Sequence, residues 1–189
     1  MTSVAVLCHA DDESMWVGGL IAAQPGNWTI ICCTVPRTDP IRAWKFFDAC
    51  EVLGAKPKLF PRTEPEPGQP ISTQSLDQIN LEGYDRIVTH GTEGEYGHAQ
   101  HKALSAYIHS KWAHKEIWSC CPPGKSDYDT ELKLTDAQLN QKISAIMRYD
   151  HVLPYEGVLM PKSAALIKRY CHDGGWPLNV ERYRIHRPI

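Results

Sequence analysis

Short apolar runs, each followed by a polar or helical segment, are the feature that most limits how this 189-residue chain can fold. The runs are Val4–Cys8, Trp28–Val35, Lys58–Phe60, Tyr84–Thr89 and Glu116–Cys120. The first two are almost continuously apolar, which is typical of strands that are buried on both faces of a parallel sheet. The alternation with helical segments therefore predicts an α/β protein: a single domain over residues 1–189 with a Rossmann-like, mostly parallel sheet and helices on both faces.

Helical spacing of apolar residues fills most of the intervals between these runs. The predicted helices are Glu13–Ala23 (interrupted at Gly18 and Gly19), Pro40–Leu53, Ser72–Ile79, His98–Trp112, Thr135–Tyr149 and Ser163–Tyr170. Asp39 and Gly54 are suited to cap the second of these helices, and Thr135 with Gln138 forms a capping-box pattern. We expect Pro122–Leu134, which opens with Pro122-Pro123-Gly124, to be a flexible or substrate-covering loop. Arg182–His186 is expected as a late edge strand or an ordered tail.

The charge balance limits the classes of partner. The formal net charge is −2 with neutral histidines, which argues against broad electrostatic binding to nucleic acid or to an anionic membrane surface. No apolar run approaches the ~20 residues that a membrane-spanning helix needs, and the first residues do not resemble a secretory signal. We expect a cytoplasmic protein with no nucleic-acid partner and no membrane span. A homo-oligomer, in which a neighbouring subunit completes the pocket, is compatible with the compact chain.

Two of the predicted strands end in dense polar clusters. The first strand runs into His9-Ala10-Asp11-Asp12-Glu13, and the fourth ends at His90 before a glycine-rich loop that delivers His98-Ala99-Gln100-His101 to a helix. Ligands of open parallel sheets bind at the carboxyl ends of the strands, so both clusters are expected at one edge. His90 either faces this site or has a structural role.

Three successive carboxylates after a buried strand need a compensating positive charge, and a divalent cation meets that need. His98 and His101 are three residues apart and share a helix face. Imidazoles from both clusters together with one carboxylate make a ligand set that suits catalytic zinc with an open position for water, or ferrous iron. The alternative is that the acidic cluster only caps a helix and that His98 and His101 are ordinary surface residues.

This pair of motifs resembles the LmbE-like, or PIG-L, family of zinc-dependent amidases and N-deacetylases, the N-acetylglucosaminyl deacetylase family. That family has an (Ala/Pro)-His-Pro-Asp-Asp-Glu motif after its first strand and a later Gly-His-x-Asp-His motif. Here the two motifs read Cys8-His9-Ala10-Asp11-Asp12-Glu13 and Gly97-His98-Ala99-Gln100-His101. The helix with Arg42, Ala49 and Leu53-Gly54 also looks like an Arg-containing segment of the family. The resemblance covers roughly the first two-thirds of the chain.

The resemblance implies roles for individual residues. It makes His9, Asp12 and His101 the metal ligands, Asp11 the general base on the metal-bound water, and His98 the group that stabilises the oxyanion and protonates the leaving amine. Two departures stand out. Ala10 replaces the usual Pro, and Gln100 replaces an Asp that would orient and charge-tune His98.

Candidate substrate contacts lie beside these motifs. Arg42 is placed to grip a sugar hydroxyl or a phosphate, the alternative being a solvated charge. Tyr96 is expected to stack on a sugar face, whereas Trp16 is better explained by core packing.

The resulting hypothesis is a zinc-dependent hydrolase that removes an N-acetyl group from a small-molecule amino sugar or its conjugate. This substrate class comes from the resemblance. The motif chemistry alone leaves open an amidase, an esterase or phosphoesterase on another small conjugate, or a non-catalytic module that binds a metal or a sugar.

Overall fold

Nine strands are present in the part of the chain that the computed structural model describes, residues 1–35, 39–60, 62–66, 68–122 and 124–188. Seven of them form one sheet: β1 (Thr2–His9), β2 (Asn27–Thr34), β3 (Lys56–Leu59), β4 (Arg86–Thr89), β5 (Glu116–Cys120), β6 (Thr130–Lys133) and β9 (Val180–His186). The other two, β7 (Val152–Tyr155) and β8 (Val158–Pro161), form a separate antiparallel hairpin.

The large sheet has the strand order β3-β2-β1-β4-β5-β9-β6. Its first five strands are parallel, with Val4 of β1 lying between Thr29 of β2 and Ile87 of β4. Strand β9 runs antiparallel to both of its neighbours. The predicted Rossmann-like, mostly parallel sheet is therefore confirmed. The chain order reverses between β1 and β4, and the crevice at such a reversal is where open α/β sheets bind ligands.

Helices connect the strands. They are α1 (Asp12–Trp16), α2 (Gly18–Ala23), α3 (Ile41–Leu53), α4 (Gly94–Gly97), α5 (Ala99–Lys111), α6 (Asp136–Ile146) and α7 (Lys162–Leu166), followed by a π-helix over Ile167–Asp173. Helix α3 follows Pro40, its early Arg42 N–H bonds to Asp39 Oδ1 at 3.2 Å, and Gly54 closes it in the left-handed region at φ 70°. The predicted Thr135–Gln138 capping box is formed at the start of α6.

Two apolar clusters cover the two faces of the sheet. Neighbouring residues of β1 alternate between them: Ala5 and Leu7 belong to one cluster, and Val4 and Val6 belong to the other. The first cluster is completed by α1, α2, α3 and α6, and the second by α5 and the segment 71–81. Because both faces are covered, β1 is buried along almost its whole length, which explains its continuously apolar sequence.

Four predicted elements differ from the structure. The late strand lies between β5 and β6 and is not at the edge. The predicted Pro122–Leu134 loop contains β6, the actual edge strand, and Pro123 lies outside the described residues. Ser72–Ile79 forms only a 3₁₀ turn over Thr73–Leu76, and Ser163–Tyr170 divides into α7 and the π-helix.

The break between α1 and α2 comes at Val17, one residue before the predicted Gly18-Gly19 interruption. None of the helices in the described ranges is long and apolar enough to cross a membrane.

Candidate functional site

The reversal point between β1 and β4 brings together the residues that were predicted as metal ligands. His9 is the last residue of β1, Asp12 is the first residue of α1, and His101 lies in the first turn of α5. All three are buried, with at most 4% of each residue exposed. Two motifs separated by about ninety positions in sequence thus converge on one point.

The potential ligand atoms of these three residues face one another. His9 Nδ1 lies 3.1 Å from His101 Nε2 and 3.2 Å from Asp12 Oδ2, and His101 Nε2 lies 3.5 Å from Asp12 Oδ2. A tetrahedral zinc ion with ligands at about 2.0–2.2 Å separates them by roughly 3.3–3.6 Å. The observed triangle has nearly these dimensions.

Hydrogen bonds on the far side of each imidazole determine which nitrogen carries the proton. His9 Nε2 lies 2.7 Å from Gln100 Oε1, and His101 Nδ1 contacts Glu95 Oε2. Both oxygens are acceptors, so we assign the imidazole protons to these outer nitrogens. The inner atoms, His9 Nδ1 and His101 Nε2, then present lone pairs to each other, which a shared cation would stabilise. The residues present therefore fit a divalent metal ion.

The carboxylate of Asp12 is oriented from two sides. Its Oδ1 accepts a hydrogen bond from Trp16 Nε1 at 3.0 Å, and its Oδ2 accepts one from the His9 backbone N–H at 2.8 Å. Burial alone would raise the pKa of Asp12, but the nearby His101, His9 and His90 lower it well below its usual range. The carboxylate of Asp12 is therefore ionised at neutral pH, as the predicted ligand role requires.

Glu95 contacts two histidines at the triangle of predicted ligand atoms described above, which we call the metal-ligand triangle. In addition to His101, its carboxylate contacts His90 Nδ1 at 3.3 Å and accepts the Gly91 N–H at 2.8 Å. His90 stacks on His101 with ring centroids 3.6 Å apart, and its Nε2 accepts the Cys8 N–H at 3.0 Å. Of the two readings considered for His90, these contacts favour a structural one, in support of His101.

Two other groups of three side chains bring ligand atoms within 4.8 Å of one another in the described part of the chain: His9, His98 and His101, and Cys8, His90 and His101. The second group is less suited to an ion, because burial raises the pKa of the Cys8 thiol to about 11 and a metal needs the thiolate. In addition, His90 Nε2 is already occupied by the Cys8 N–H.

Asp11, the predicted general base, lies beside the triangle. Its backbone is left-handed at φ 112°. Asp11 Oδ2 lies 2.8 Å from Arg42 Nη2 and 3.0 Å from Lys162 Nζ. Both cations contact the same oxygen, and Oδ1 has no partner among the described residues.

Arg42 was expected to contact substrate or to be solvated. Its guanidinium instead binds three protein groups: Nε donates to the Ala10 carbonyl, Nη2 to Asp11 and Nη1 to Glu64. Its side chain is only 11% exposed. Arg42 lines the site, and its observed contacts hold Asp11 and the loop after β1 in place.

His98 stands at the start of α5, and its Nδ1 is buried without a hydrogen-bond partner in the described part of the structure. Burial and the neighbouring His101 and His9 lower its pKa to about 4. Gln100 was expected to stand where an acid would orient this residue, but its side chain contacts His9 and donates to the Pro65 carbonyl. Gln100 therefore orients His9, a predicted ligand, and not His98.

A cavity of about 180 Å³ opens over these residues. His101 is fully buried and does not line this cavity. The other six predicted site residues line it together with nine more residues: His9, Asp11, Asp12, Arg42, Tyr96 and His98, then Glu64, Leu153, Pro154, Tyr155, Lys162, Ala165, Leu166, Arg169 and Tyr170. Tyr96 is 38% exposed, and Trp16 is buried at 5% as the packing interpretation expected.

Sequence reasoning missed four charged residues of this site: Glu64, Glu95, Lys162 and Arg169. Glu95 had a usable signal, because it is an acid six residues before His101 in the loop that ends a buried strand. The other three come from a Pro-rich segment and from the α7 and π-helix region, where no motif marks them. Only the tertiary fold brings them to the cavity.

Solved structures with the same fold include a hydratase and two deacetylases. The 4-carboxy-2-hydroxymuconate hydratase GalB from Pseudomonas putida KT2440 matches with a TM-score of 0.63 and 15% identity, over 100% of this chain and 98% of that one. The A40926 pseudoaglycone deacetylase Dbv21 matches with a TM-score of 0.59 and 11% identity, over 100% and 98%. The zinc-inhibited form of the teicoplanin deacetylase Orf2 matches with a TM-score of 0.58 and 13% identity, over 98% of this chain and 97% of that one.

At these identities the similarity establishes the fold. No protein-family model and no curated protein sequence matches the chain.

Proposed function

We propose that this chain, acting as one domain, is a metal-dependent hydrolase that removes an N-acetyl group from an amino sugar or an amino-sugar conjugate. The observation that carries the proposal is the triangle of His9 Nδ1, Asp12 Oδ2 and His101 Nε2. Its edges measure 3.1–3.5 Å, and both imidazole protons are directed away from its centre. These three residues would hold the ion.

The structural neighbours support the amide-hydrolysis part of this proposal. Two of those described above are deacetylases by name, one of teicoplanin and one of the A40926 pseudoaglycone. A further structure of the same fold is a deacetylase–teicoplanin complex. The motif resemblance to N-acetylglucosaminyl deacetylases points to the same chemistry.

The reaction needs an activated water and a base. When bound, a divalent ion supplies Lewis acidity that lowers the pKa of water toward ~7 and polarises the amide carbonyl. Asp11 Oδ1, the free oxygen of a carboxylate anchored through Oδ2 by Arg42 and Lys162, accepts the water proton. Anchoring by two cations keeps this oxygen directed at one place in the cavity.

His98 stabilises the oxyanion of the tetrahedral intermediate. Because burial and neighbouring histidines lower its pKa to about 4, it is neutral at pH 7 and offers an N–H donor. A fixed donor in a site that excludes water is worth more than the same donor in solution. Since His98 is neutral at pH 7, we assign to Asp11 the protonation of the leaving amine that the resemblance implied for His98. The proton held by Asp11 is delivered to the amide nitrogen as the carbon–nitrogen bond breaks, and the amine leaves.

Hydration is the second candidate function, favoured by the hydratase of the same fold. Addition of water to a carbon–carbon double bond also needs a positioned water and a base, so the same residues would serve it. The products separate the two reactions, since hydrolysis releases acetate and a free amine whereas hydration releases neither.

The test combines metal content with acetate release. Purified full-length protein should bind about one equivalent of zinc or ferrous iron, and the loaded protein should release acetate from N-acetylated sugars. Because one neighbour is described as zinc-inhibited, both metals are assayed. His9→Ala and His101→Ala should abolish stoichiometric metal binding.

Asp11→Asn should retain the metal but lower the rate by about 10²-fold or more, because the base is lost. The matched control is Asp48→Asn, an exposed carboxylate on α3 far along the helix from Arg42. Absence of stoichiometric metal, or an unchanged rate in Asp11→Asn, would overturn the proposal.

A further inference from the structure

Arg169 stands out among the charged groups of the cavity. It lies in the π-helix over Ile167–Asp173 and lines the same cavity as His9 and Asp12. Within the described ranges its guanidinium contacts no carboxylate, and it makes cation–π contacts with the rings of Tyr96 and Tyr170.

The other charges of the cavity are already paired. Arg42 contacts both Asp11 and Glu64, and Lys162 contacts Asp11. The carboxylate of Asp12 faces His9 and His101. Three carboxylates and three cations thus line the cavity, so their formal charges balance, and Arg169 is the cation that contacts no carboxylate among the described residues. A divalent ion at the triangle would give the lining a net positive charge.

The position of Arg169 leaves its hydrogen-bond donors accessible. Its Cζ lies 5.5 Å from the ring centroid of Tyr96 and 5.4 Å from that of Tyr170. Aromatic contacts use the face of a guanidinium, whereas its five N–H donors point outward in the plane. Such an arrangement holds the group in place and keeps the planar fork free for an oxyanion.

Tyr96 connects Arg169 to the proposed reacting centre. Its ring centroid is 5.5 Å from the Arg169 Cζ and also 5.5 Å from the ring centroid of His98. Arg169 and His98 are therefore separated by no more than the sum of these two distances. A sugar ring with one substituent on each side spans such an interval, so one substrate reaches both groups.

We propose that Arg169 forms an oxyanion subsite, and that the substrate carries a carboxylate or a phosphate in addition to the bond that is hydrolysed. This inference deepens the proposed function, because it uses the same cavity, but the anion subsite is tested by binding alone. Arg169 acts in specificity, through direct contact with the charged substituent.

The test is isothermal titration calorimetry on the full-length protein with three probes of matched core structure. They are N-acetylglucosamine, which is neutral, N-acetylglucosamine 6-phosphate, and N-acetylmuramic acid, which carries a carboxylate. At least one anionic probe should bind roughly 10-fold or more tightly than the neutral one, since hydrogen bonds to charged groups are stronger than those between neutral groups. The anionic probe that binds more tightly shows whether the subsite takes a phosphate or a carboxylate.

Arg169→Gln should remove this preference, so that anionic and neutral probes bind alike. The control is Lys168→Gln, which removes the same charge one residue earlier, where Lys168 pairs with Glu156 and Asp173 outside the cavity lining. It should keep the preference. Thermal unfolding of both variants checks that they are folded.

The inference is overturned if the wild-type protein binds neither anionic probe more tightly than N-acetylglucosamine, or if Arg169→Gln keeps the preference. Failure of the proposed function has a different signature. In that case no probe releases acetate, whatever the binding preference.

Discussion

Backbone strain at single residues coincides with the candidate site. Three non-glycine residues in the described part of the chain have positive φ: Asp11 at 112°, Glu95 at 52° and Glu156 at 49°. Glu156 lies in the tight turn between β7 and β8, where this conformation is usual. Asp11 and Glu95 lie at the site, where residues in such conformations cost on the order of 1–3 kcal/mol and persist only when surrounding contacts hold them.

For Asp11 these contacts are visible. Its N–H donates to Glu13 Oε2 at 2.9 Å, and its carbonyl accepts the N–H groups of Ser14 and Met15, both at 3.1 Å. The start of α1 therefore holds the strained residue and points its carboxylate into the cavity. The strain supports a functional role for Asp11, because a purely structural position would be filled at lower energy by glycine.

At the same scale, the hydrogen bond from His9 to Gln100 leads to a prediction about metal affinity. Gln100→Leu removes the acceptor that directs the His9 proton outward, so the affinity for zinc should fall about 10–100-fold. Competition with a chromogenic chelator measures the change.

The control for that experiment is Gln141→Leu, because Gln141 also donates its side-chain amide to a backbone carbonyl, that of Val52. It lies on α6, and its replacement should leave metal affinity unchanged. Equal affinities of the Gln100→Leu and wild-type proteins would contradict the assigned proton position on His9.

Among the elements, those with buried apolar faces were predictable from the sequence and those without were not. Strand β1 is buried on both sides, so its sequence is apolar throughout. The hairpin over Val152–Pro161 is largely exposed and contains Pro154 and Pro161, which argue against strands in a sheet interior. A two-stranded hairpin tolerates both prolines, because each of its strands has a free outer edge. Since the hairpin is largely exposed, no periodic apolar pattern indicates its strands.

The contact between α5 and β5 gives a prediction about pH. His109 on α5 lies 2.7 Å from Ser119 Oγ on β5. Burial, and then the neighbouring His186, lower the pKa of His109 below its ordinary value of 6.5. As the pH falls, His109 therefore takes up its proton in the unfolded chain before it does so in the folded protein. The free energy of unfolding should then decrease as the pH falls below about 6.5.

Urea unfolding at pH 7.5 and at lower pH values measures this effect. His109→Gln should lose less stability on acidification than the wild-type protein. His114→Gln is the control, because the His114 side chain is 56% exposed, and it should follow the wild-type protein. An identical pH slope in all three proteins would show that His109 is not responsible.

Across the whole molecule, the late strand β9 is tied to the first half of the chain by one buried carboxylate. Glu181 accepts hydrogen bonds from the Gly19 and Leu20 N–H groups at 2.8 and 2.7 Å, from Lys142 Nζ at 2.6 Å and from Tyr183 Oη at 2.7 Å. This group joins the sheet to α2 and α6. The most distant partner, Gly19, lies 162 positions from Glu181 in sequence, and no local motif indicated this group.

The Lys142–Glu181 pair should therefore matter for global stability. Lys142→Met leaves Glu181 without its counter-charge in a buried position, which should lower the free energy of unfolding by about 3–5 kcal/mol. Lys133→Met is the control, since Lys133 is 80% exposed and pairs with Glu131 only at the surface, where such pairs contribute about 0–1 kcal/mol. Similar losses in the two variants, measured by chemical denaturation, would contradict the role of the buried pair.

The site as a whole was partly predictable for a related reason. Its two motifs follow strand ends that a parallel sheet must bring to one edge, so six of the predicted residues line the same cavity, and His101 is fully buried. Lys162 and Arg169 reach the cavity from α7 and the π-helix, which follow the β7–β8 hairpin and lie outside the large sheet. Their contribution depends on how these two helices pack, which local sequence does not encode.

The central placement of β9 has a consequence for synthesis on the ribosome. Strands β1 to β5 and every proposed metal ligand have been translated by residue 120, but β6 has no sheet neighbour until residues 180–186 emerge. Throughout that interval Lys142 lacks its carboxylate and the outer side of β5 stays uncovered. The nascent chain thus carries an open sheet edge, the kind of surface that chaperones protect, until its last strand inserts.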